Sequence, residues 1–232
     1  MRSSGGLGTS WADRSVNITR LHVTAFLGAA TVVWAVSLWV NGIELSWVLV
    51  APFSLVVGAL AGGWAAFEGF LWRCRWLHGW FVKRPDLCGT WKVTLQSRYV
   101  RRGETDPVPP ITCYMAVTQT LTMLQMKLMT PDSSSVFIAD HIRPSPSGEG
   151  YQVIGVYTNE PSIHLRDARI SEMHQGALLL ETHGPAHRPD ALTGKYWTDR
   201  KTVGSMALGN RVKVRHSRFE DADRAFSATE SG

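Results

Sequence analysis

The sequence predicts a membrane-anchored all-β protein, in which a two-helix transmembrane hairpin precedes a small antiparallel β-barrel of about eight strands. Two observations lead to this fold class. The first third of the chain contains two long apolar stretches without a formal charge. From Asp86 onward, apolar and polar residues alternate in short runs that are separated by turn-forming residues, which is the pattern of β-strands in a sandwich or barrel.

The two apolar stretches have the length of membrane-spanning helices. Leu21–Val40 has no charged residue, and Leu45–Phe67 is bounded by Glu44 and Glu68. A helix of about 20 apolar residues crosses a hydrocarbon core of roughly 30 Å. Because only residues 41–44 separate the stretches, we expect an antiparallel helical hairpin.

Basic residues flank the predicted hairpin, and its connecting turn contains none. The positive-inside rule therefore places both chain ends in the cytoplasm. A cleaved signal peptide fits less well, because the first apolar stretch is too long and a second one follows. The flanking basic residues are Arg2, Arg14 and Arg20 before the hairpin, and Arg73, Arg75, Lys83 and Arg84 after it.

The remaining organisation follows from changes in composition. We expect a juxtamembrane linker that extends the second helix, with Trp72, Trp76 and Trp80 four residues apart on one face. The polar C-terminal segment is expected to be disordered. The predicted segments are an N-terminal cytoplasmic stretch (1–20), the hairpin (21–67), the linker (68–85), the barrel (86–210) and the tail (211–232).

The alternation that predicts the barrel is clearest at Thr90–Gln96, where Trp91, Val93 and Leu95 share one face. A series of short strands with short connections favours a closed barrel, whose interior holds side chains or one small ligand. Further strands are expected at 111–118, 121–129, 136–142, 151–157, 168–173, 177–182, 192–198 and 203–208, with 174–176 as a hairpin turn.

Charge and motifs narrow the classes of function. The formal net charge of +5 is mild and no long Lys/Arg run occurs, so we expect no DNA or RNA polymer as partner. The three cysteines do not have zinc-site spacing and are expected to be reduced. No catalytic or phosphate-loop motif is present. We therefore expect a protein that is not an enzyme and uses no metal ion or cofactor.

The segment Leu192–Gly204 has the composition of an anion site. It includes Tyr196, Trp197, Thr198 and Arg200. Aromatic faces stack on nucleobases, and Arg and Thr donate hydrogen bonds to phosphate oxygens. On composition alone an alternative stays open, in which Asp199 and Arg200 merely join the hairpin through a surface ion pair.

These features resemble those of the two-transmembrane, β-strand-rich effectors associated with bacterial cyclic-oligonucleotide synthases (CBASS). The resemblance covers residues from about 20 to 210. Besides the hairpin, it rests on Leu77-His-Gly-Trp80 followed by Pro85-Asp-Leu-Cys-Gly-Thr-Trp-Lys92, which is similar to the family pattern P-x-L-x-G-x-W. It also rests on Leu192–Gly204, which is similar to L-x-G-x-Y-W-T-x-R-x-T-x-G.

The resemblance implies an anti-phage effector. Its barrel would bind a cyclic dinucleotide that a functionally linked synthase makes during infection. Binding would promote homo-oligomerisation and disruption of the inner membrane, in which the protein would lie as a multi-pass protein with both termini cytoplasmic. Carried over residue by residue, the ligand site would contain Tyr196, Trp197, Thr198 and Arg200, with Trp91, Arg98 and Tyr157 as weaker candidates.

Two other functions are compatible with the sequence. A membrane-tethered barrel could bind a lipid or another small apolar ligand, and an almost wholly apolar interior would favour that function. A membrane enzyme with a novel site is the other alternative, but the sequence contains no paired acid and base and no nucleophile cluster to support it.

Overall fold

The first part of the chain contains helices. The computed structural model describes residues 28, 30–36, 38–42, 47–100, 103, 105–161 and 173–230. The chain divides into two compact units, Met1–Trp72 and Arg73–Gly232. Helical residues 30–36 and 38–40 precede helix α1, Trp47–Gly69, in the first unit. Within the described ranges, no helix combines the length and the apolar character that crossing a membrane requires. The hairpin over 21–67, part of which lies outside those ranges, stays a prediction.

The segment that follows α1 differs from the predicted helical extension. It forms two short 3-10 helices, Leu71–Arg73 and Arg75–Leu77. Trp72 is buried, whereas Trp76 and Trp80 are exposed. The prediction that these tryptophans share one helical face is therefore wrong, because the α-helix ends at Gly69 and two separate 3-10 helices follow it.

The second unit contains a closed antiparallel barrel with the strand order β1-β2-β3-β4-β5-β6-β7-β8. Each strand pairs with the next in sequence, and β8 pairs with β1. This closure joins the first and last strands into one ring and confirms the predicted eight-strand barrel. The strands are β1 Gly89–Ser97, β2 Ile111–Gln119, β3 Leu124–Met129, β4 Ser133–Pro144, β5 Tyr151–Pro161, β6 His174–His183, β7 Ala191–Thr198 and β8 Val203–Val212.

One predicted hairpin differs from the structure. Residues 174–176, expected as a turn, form the start of β6. The strand expected at 168–173 falls almost wholly on 162–172, which lie outside the described residues. The glycine at position 176 suggested a turn, but it lies within β6 and allows close packing there. A Cβ at this position would lie 2.5 Å from the ring of Tyr157.

Alternate residues of each strand point into the barrel and form its core. In β1 the inward side chains of Trp91 and Val93 are fully buried. Buried and exposed side chains thus alternate with the same two-residue period as apolar and polar residues in the sequence, as expected for a sheet with one buried face. Other core residues include Met115, Met126, Phe137, Val153, Leu178, Leu180, Met206 and Leu208.

One end of the barrel is closed by the segment that leads into β1. Leu87 is buried there. The side-chain amide of Gln119 accepts a hydrogen bond from Leu87 N (2.8 Å) and donates one to Pro85 O (2.8 Å). The indole of Trp91 donates to Leu87 O at 2.9 Å. We call Pro85–Trp91 the closing segment.

The C-terminal residues correct the expectation of a disordered tail over 211–232. They include helix α2, Phe219–Glu230, which packs against β2. The ring of Phe226 stacks on Tyr114 with centroids 5.1 Å apart, and Tyr114 Oη donates to Asp223 Oδ1 at 2.8 Å. Phe219, Ala222 and Phe226 recur at helical spacing, so a short apolar stripe orders an otherwise polar segment.

The close packing of β6 against β7 can be tested at Gly194. A Cβ on this residue would overlap the backbone oxygen of Leu179, whereas a Cβ on Gly209 in β8 would meet nothing within 4 Å. We expect Gly194→Ala to lower the free energy of unfolding by about 1–3 kcal/mol. Gly209→Ala should change it by less than about 1 kcal/mol. Denaturation of the full-length protein followed by circular dichroism measures both, and equal effects would contradict this packing.

Candidate ligand-binding site

The end of the barrel opposite the closing segment opens into a cavity of about 600 Å³. We call it the mouth cavity. It lies where β1, β3, β5 and β7 end and where β2, β4, β6 and β8 begin, so its walls are strands. Residues of the connections 130–132 and 199–202 contribute to its rim. Its volume lies within the range of about 300–1,000 Å³ that is usual for small-molecule sites.

Four of the seven predicted site residues line the mouth cavity. They are Tyr157, Tyr196, Thr198 and Arg200. Both tyrosines are 7% exposed and belong to the inward faces of β5 and β7. Arg200 is exposed at the rim. The structure thus brings two aromatic rings, a hydroxyl and a guanidinium to one opening.

The other three predicted residues lie outside the cavity. Trp197 is 42% exposed and points outward, since it neighbours the inward Tyr196 in the strand. Trp91 lies in the closing segment, where the guanidinium carbon of Arg211 lies 4.8 Å from its ring centroid. Arg98 is exposed on the outer side just beyond β1. Trp91 and Arg98 do not appear among the described residues that line the cavity.

Each cavity tyrosine packs over a glycine on the neighbouring strand. Tyr157 is paired with Gly176, and Tyr196 is paired with Gly204. A Cβ on either glycine would lie 2.5 Å from the tyrosine ring. Each tyrosine ring therefore occupies the space that a side chain on its paired glycine would fill. The last glycine of the Leu192–Gly204 motif, Gly204, has this role.

A tight hairpin between β7 and β8 holds Arg200 at the rim. Thr198 N donates to Thr202 O at 2.9 Å, and Lys201 N donates to Thr198 O at 3.0 Å. Lys201 has a φ of 62°, as the last residue of a three-residue hairpin loop commonly has. Asp199 N donates to Gln175 O at 3.0 Å, and Asp199 Oδ2 accepts from Gln175 N at 3.1 Å. The loop is thereby joined to β6.

The deep part of the cavity is electrically neutral at ordinary pH. Burial raises the pKa of Tyr157, and the nearby Tyr196 and Asp199 raise it further. Burial also raises the pKa of Tyr196, against the opposing effect of a hydrogen bond with Ser97. Both phenols therefore keep their protons and can donate hydrogen bonds. Charged groups such as Arg200 lie at the rim.

Sequence reasoning missed a polar pair in the cavity wall. Ser135 Oγ donates to Asn159 Oδ1 at 2.9 Å, and the two residues are only 4% and 6% exposed. Both line the mouth cavity. Asn159 lies two residues after Tyr157 and so shares its face. The signal was present, but the expected strand ended at Tyr157 and left Asn159 in a loop.

The cysteines form no disulfide, and burial holds two of them as neutral thiols. Cys74, Cys88 and Cys113 are all free thiols. Burial raises the pKa of Cys113 to about 12, so it carries no thiolate at neutral pH. Burial also raises the pKa of Cys88, although Arg73 opposes that shift. In the part of the chain that is described, no group of three or more His, Cys, Asp or Glu residues is placed to hold a metal ion.

Comparison with known proteins identifies the barrel. The family described as "Cap15, cyclic dinucleotide receptor domain" matches residues 82–210, more than half of the chain's 232 residues. The chain belongs to this family. No curated protein matches the sequence. The Cap15 receptor domain spans the closing segment and, except for the last two residues of β8, the whole barrel. This confirms the resemblance to CBASS effectors at the level of a cyclic dinucleotide receptor, whereas α2 lies outside the match.

The buried phenols of the Cap15 domain predict a loss of stability in alkaline solution. A phenol whose pKa is raised by folding stabilises the protein fully below the ordinary tyrosine pKa of about 10, and this contribution falls as the pH rises through that value. We expect Tyr157→Phe to make stability fall less steeply above pH 10. Denaturation midpoints between pH 8 and 11 test this, with the exposed Tyr99 changed to Phe as control. Identical slopes in wild type and Tyr157→Phe would contradict it.

Proposed function

We propose that the mouth cavity is the site at which the Cap15 domain binds its cyclic dinucleotide, and that the bound ligand activates a membrane effector in anti-phage defence. The observation that carries this proposal is the meeting of Tyr157, Tyr196 and Arg200 at one opening of about 600 Å³. A nucleotide needs both an aromatic or polar surface for its bases and a cation for its phosphates.

The rim offers a cation to a phosphate-bearing ligand. Arg200 and His174 line the opening, with Asp132 as the acidic residue in the same set. The whole chain carries a formal charge of +5, which favours the approach of an anion over long range. Arg200 supplies a planar donor that suits a phosphate oxygen pair.

A lipid carrier is the alternative that the sequence left open. An apolar ligand would supply no partner to the polar groups of the wall that are not already bonded within the protein, at a cost of about 1–3 kcal/mol for each buried group. The cavity wall includes Ser97, Ser135, Asn159, Thr198 and Thr202. This polar lining favours a nucleotide over a lipid. We infer a receptor that binds its ligand without catalysing a reaction on it.

The membrane part of the proposal rests on the N-terminal third. The stretches 21–40 and 45–67 contain no charged side chain. In helix α1, Leu55, Val56, Leu60 and Trp64 are exposed, and such side chains favour an apolar neighbour such as acyl chains or other helices. We propose that these segments lie in the bacterial inner membrane with both termini cytoplasmic. Ligand binding would favour an assembled state that disrupts the bilayer.

Arg200 provides the direct test of the cavity. We expect Arg200→Gln to raise the Kd for a cyclic dinucleotide by about 10- to 100-fold, the range for loss of a charge-assisted hydrogen bond. Isothermal titration of the full-length protein in detergent with a panel of cyclic dinucleotides measures this effect.

Two matched variants control the Arg200 experiment. Lys195→Gln removes the same charge from the outer wall, and Trp197→Ala alters the residue between two cavity residues without touching the cavity. Both should keep the Kd within about threefold, because neither Lys195 nor Trp197 lines the cavity. A loss of affinity in Lys195→Gln equal to that in Arg200→Gln would show that net charge, and not this cavity, binds the ligand.

Ligand-dependent membrane damage is tested separately. Full-length protein is reconstituted in dye-loaded vesicles, and a cyclic dinucleotide that binds in titration is added. We expect dye release together with a rise in the cross-linked oligomer population, both lost in Arg200→Gln and retained in Lys195→Gln. Binding without release and without oligomers would refute the effector part of the proposal and leave the receptor part standing.

A further inference from the structure

The wall of the mouth cavity contains a cluster that is polar, uncharged and almost fully buried. It consists of Ser135 on β4 with Tyr157 and Asn159 on β5, and we call it the polar cluster. Its members are 4%, 7% and 6% exposed. Ser135 is the register partner of Asn159, and Phe137 is that of Tyr157. The three side chains therefore form one inward patch across two adjacent strands.

The hydrogen bonds within this cluster determine what it can offer a ligand. Ser135 Oγ donates to Asn159 Oδ1 at 2.9 Å, which satisfies one lone pair of the amide oxygen and fixes the plane of the amide. The Nδ2 group of Asn159 has no protein acceptor among the described residues, and Tyr157 Oη has no protein partner there either. Both groups belong to the cavity lining. The cluster thus presents N–H and O–H donors to the ligand.

The unpaired donors of the polar cluster, whose residues are more than nine-tenths buried, determine which ligand groups can bind there. A buried donor that stays unsatisfied is costly, so a ligand that supplies acceptors is favoured over one that supplies donors. Burial and neighbouring groups raise the pKa of Tyr157, so its hydroxyl remains a donor at neutral pH. The cluster carries no charge, which suits a nucleobase edge better than a phosphate.

We propose that the polar cluster binds the carbonyl-bearing edge of a nucleobase, so that this site prefers cyclic dinucleotides containing guanine or uracil over those containing only adenine. Guanine offers two adjacent acceptors, O6 and N7, and uracil offers its carbonyl oxygens. Adenine pairs best with an asparagine that uses its oxygen and its nitrogen together. Here one lone pair of the Asn159 oxygen already accepts from Ser135, which makes that oxygen a weaker acceptor for an adenine amino group. An adenine edge, with one acceptor beside an amino group, leaves a cluster donor unpaired.

This inference rests on the proposed function, since it assigns one part of the same cavity. It also separates the roles of the site: Arg200 at the rim contacts phosphate, which every cyclic dinucleotide has, and the polar cluster discriminates bases. Loss of a bidentate base contact is worth roughly 5- to 150-fold in affinity.

The test compares bases and variants in the same titration. Full-length protein in detergent is titrated with cyclic di-GMP, cyclic UMP–AMP and cyclic di-AMP. We expect at least about tenfold weaker binding of cyclic di-AMP to the wild type. Asn159→Ala should weaken cyclic di-GMP and cyclic UMP–AMP by about tenfold or more and change cyclic di-AMP by less than threefold. Ser135→Ala frees the amide oxygen and should narrow the gap between cyclic di-GMP and cyclic di-AMP.

Thr158→Ala is the matched control, since Thr158 lies between Tyr157 and Asn159 in β5 and does not line the cavity. It should leave all three affinities within threefold. Equal or tighter binding of cyclic di-AMP by the wild type would overturn the inference even if Asn159→Ala failed to fold. So would a uniform loss in Asn159→Ala. If none of the three ligands binds while the protein is folded, the proposed function itself fails, and this inference fails with it.

Discussion

The hydrogen-bonded pairing of β1 with β8 is the constraint on which the rest of this domain depends. It closes eight strands into one ring, so every second side chain must enter a common interior whose size is set by strand number. Apolar side chains fill that interior from the closing segment up to Phe137 and Tyr157. Beyond this level the inward residues become small and polar, as at Ser135 and Asn159. The cavity is therefore the end of the barrel interior that core side chains do not fill, and the strands of the barrel form its walls.

The two sequence motifs on which the resemblance was based serve different ends of the barrel. In the first, Pro85 and Leu87 are held by Gln119, and Gly89 allows the close approach of β1 to the Val212 carbonyl with a φ of 130°. That motif seals the barrel. The second motif forms the β7–β8 hairpin at the opening and supplies Tyr196, Thr198 and Arg200 to the cavity. The two motifs thus include both structural and ligand-facing residues, which explains why Trp91 resembled a site residue.

Much of the barrel could be predicted from the sequence. When a sheet buries a single face, strict alternation of apolar and polar residues shows which side chains of a strand face the core. The ligand-facing residues were predicted less completely. The Leu192–Gly204 motif led to Tyr196 and Thr198. Excluding Trp197 and including Asn159 required a further step, which is to work out which residues of β7 and β5 face the barrel interior. Ser135 could not be found from sequence, since only the β4–β5 register places it beside Asn159. Helix α2 was missed because a polar helix of 12 residues has little intrinsic stability and forms by packing on Tyr114.

The pairing of tyrosine with glycine on neighbouring strands has a consequence for how this family can diverge. A methyl group at position 176 or 204 would strike the ring of Tyr157 or Tyr196, so neither glycine can be exchanged while its tyrosine remains. A Cβ at position 176 would also crowd the carbonyl oxygen of Trp197, and one at position 204 would crowd that of Gln96, so each glycine stays required even where its ring is lost. The tyrosines are therefore freer to vary among homologues than the glycines, and loss of a ring would leave volume for a bulkier ligand. Lineages that keep the glycine and have lost the tyrosine are where altered ligand preference should be sought.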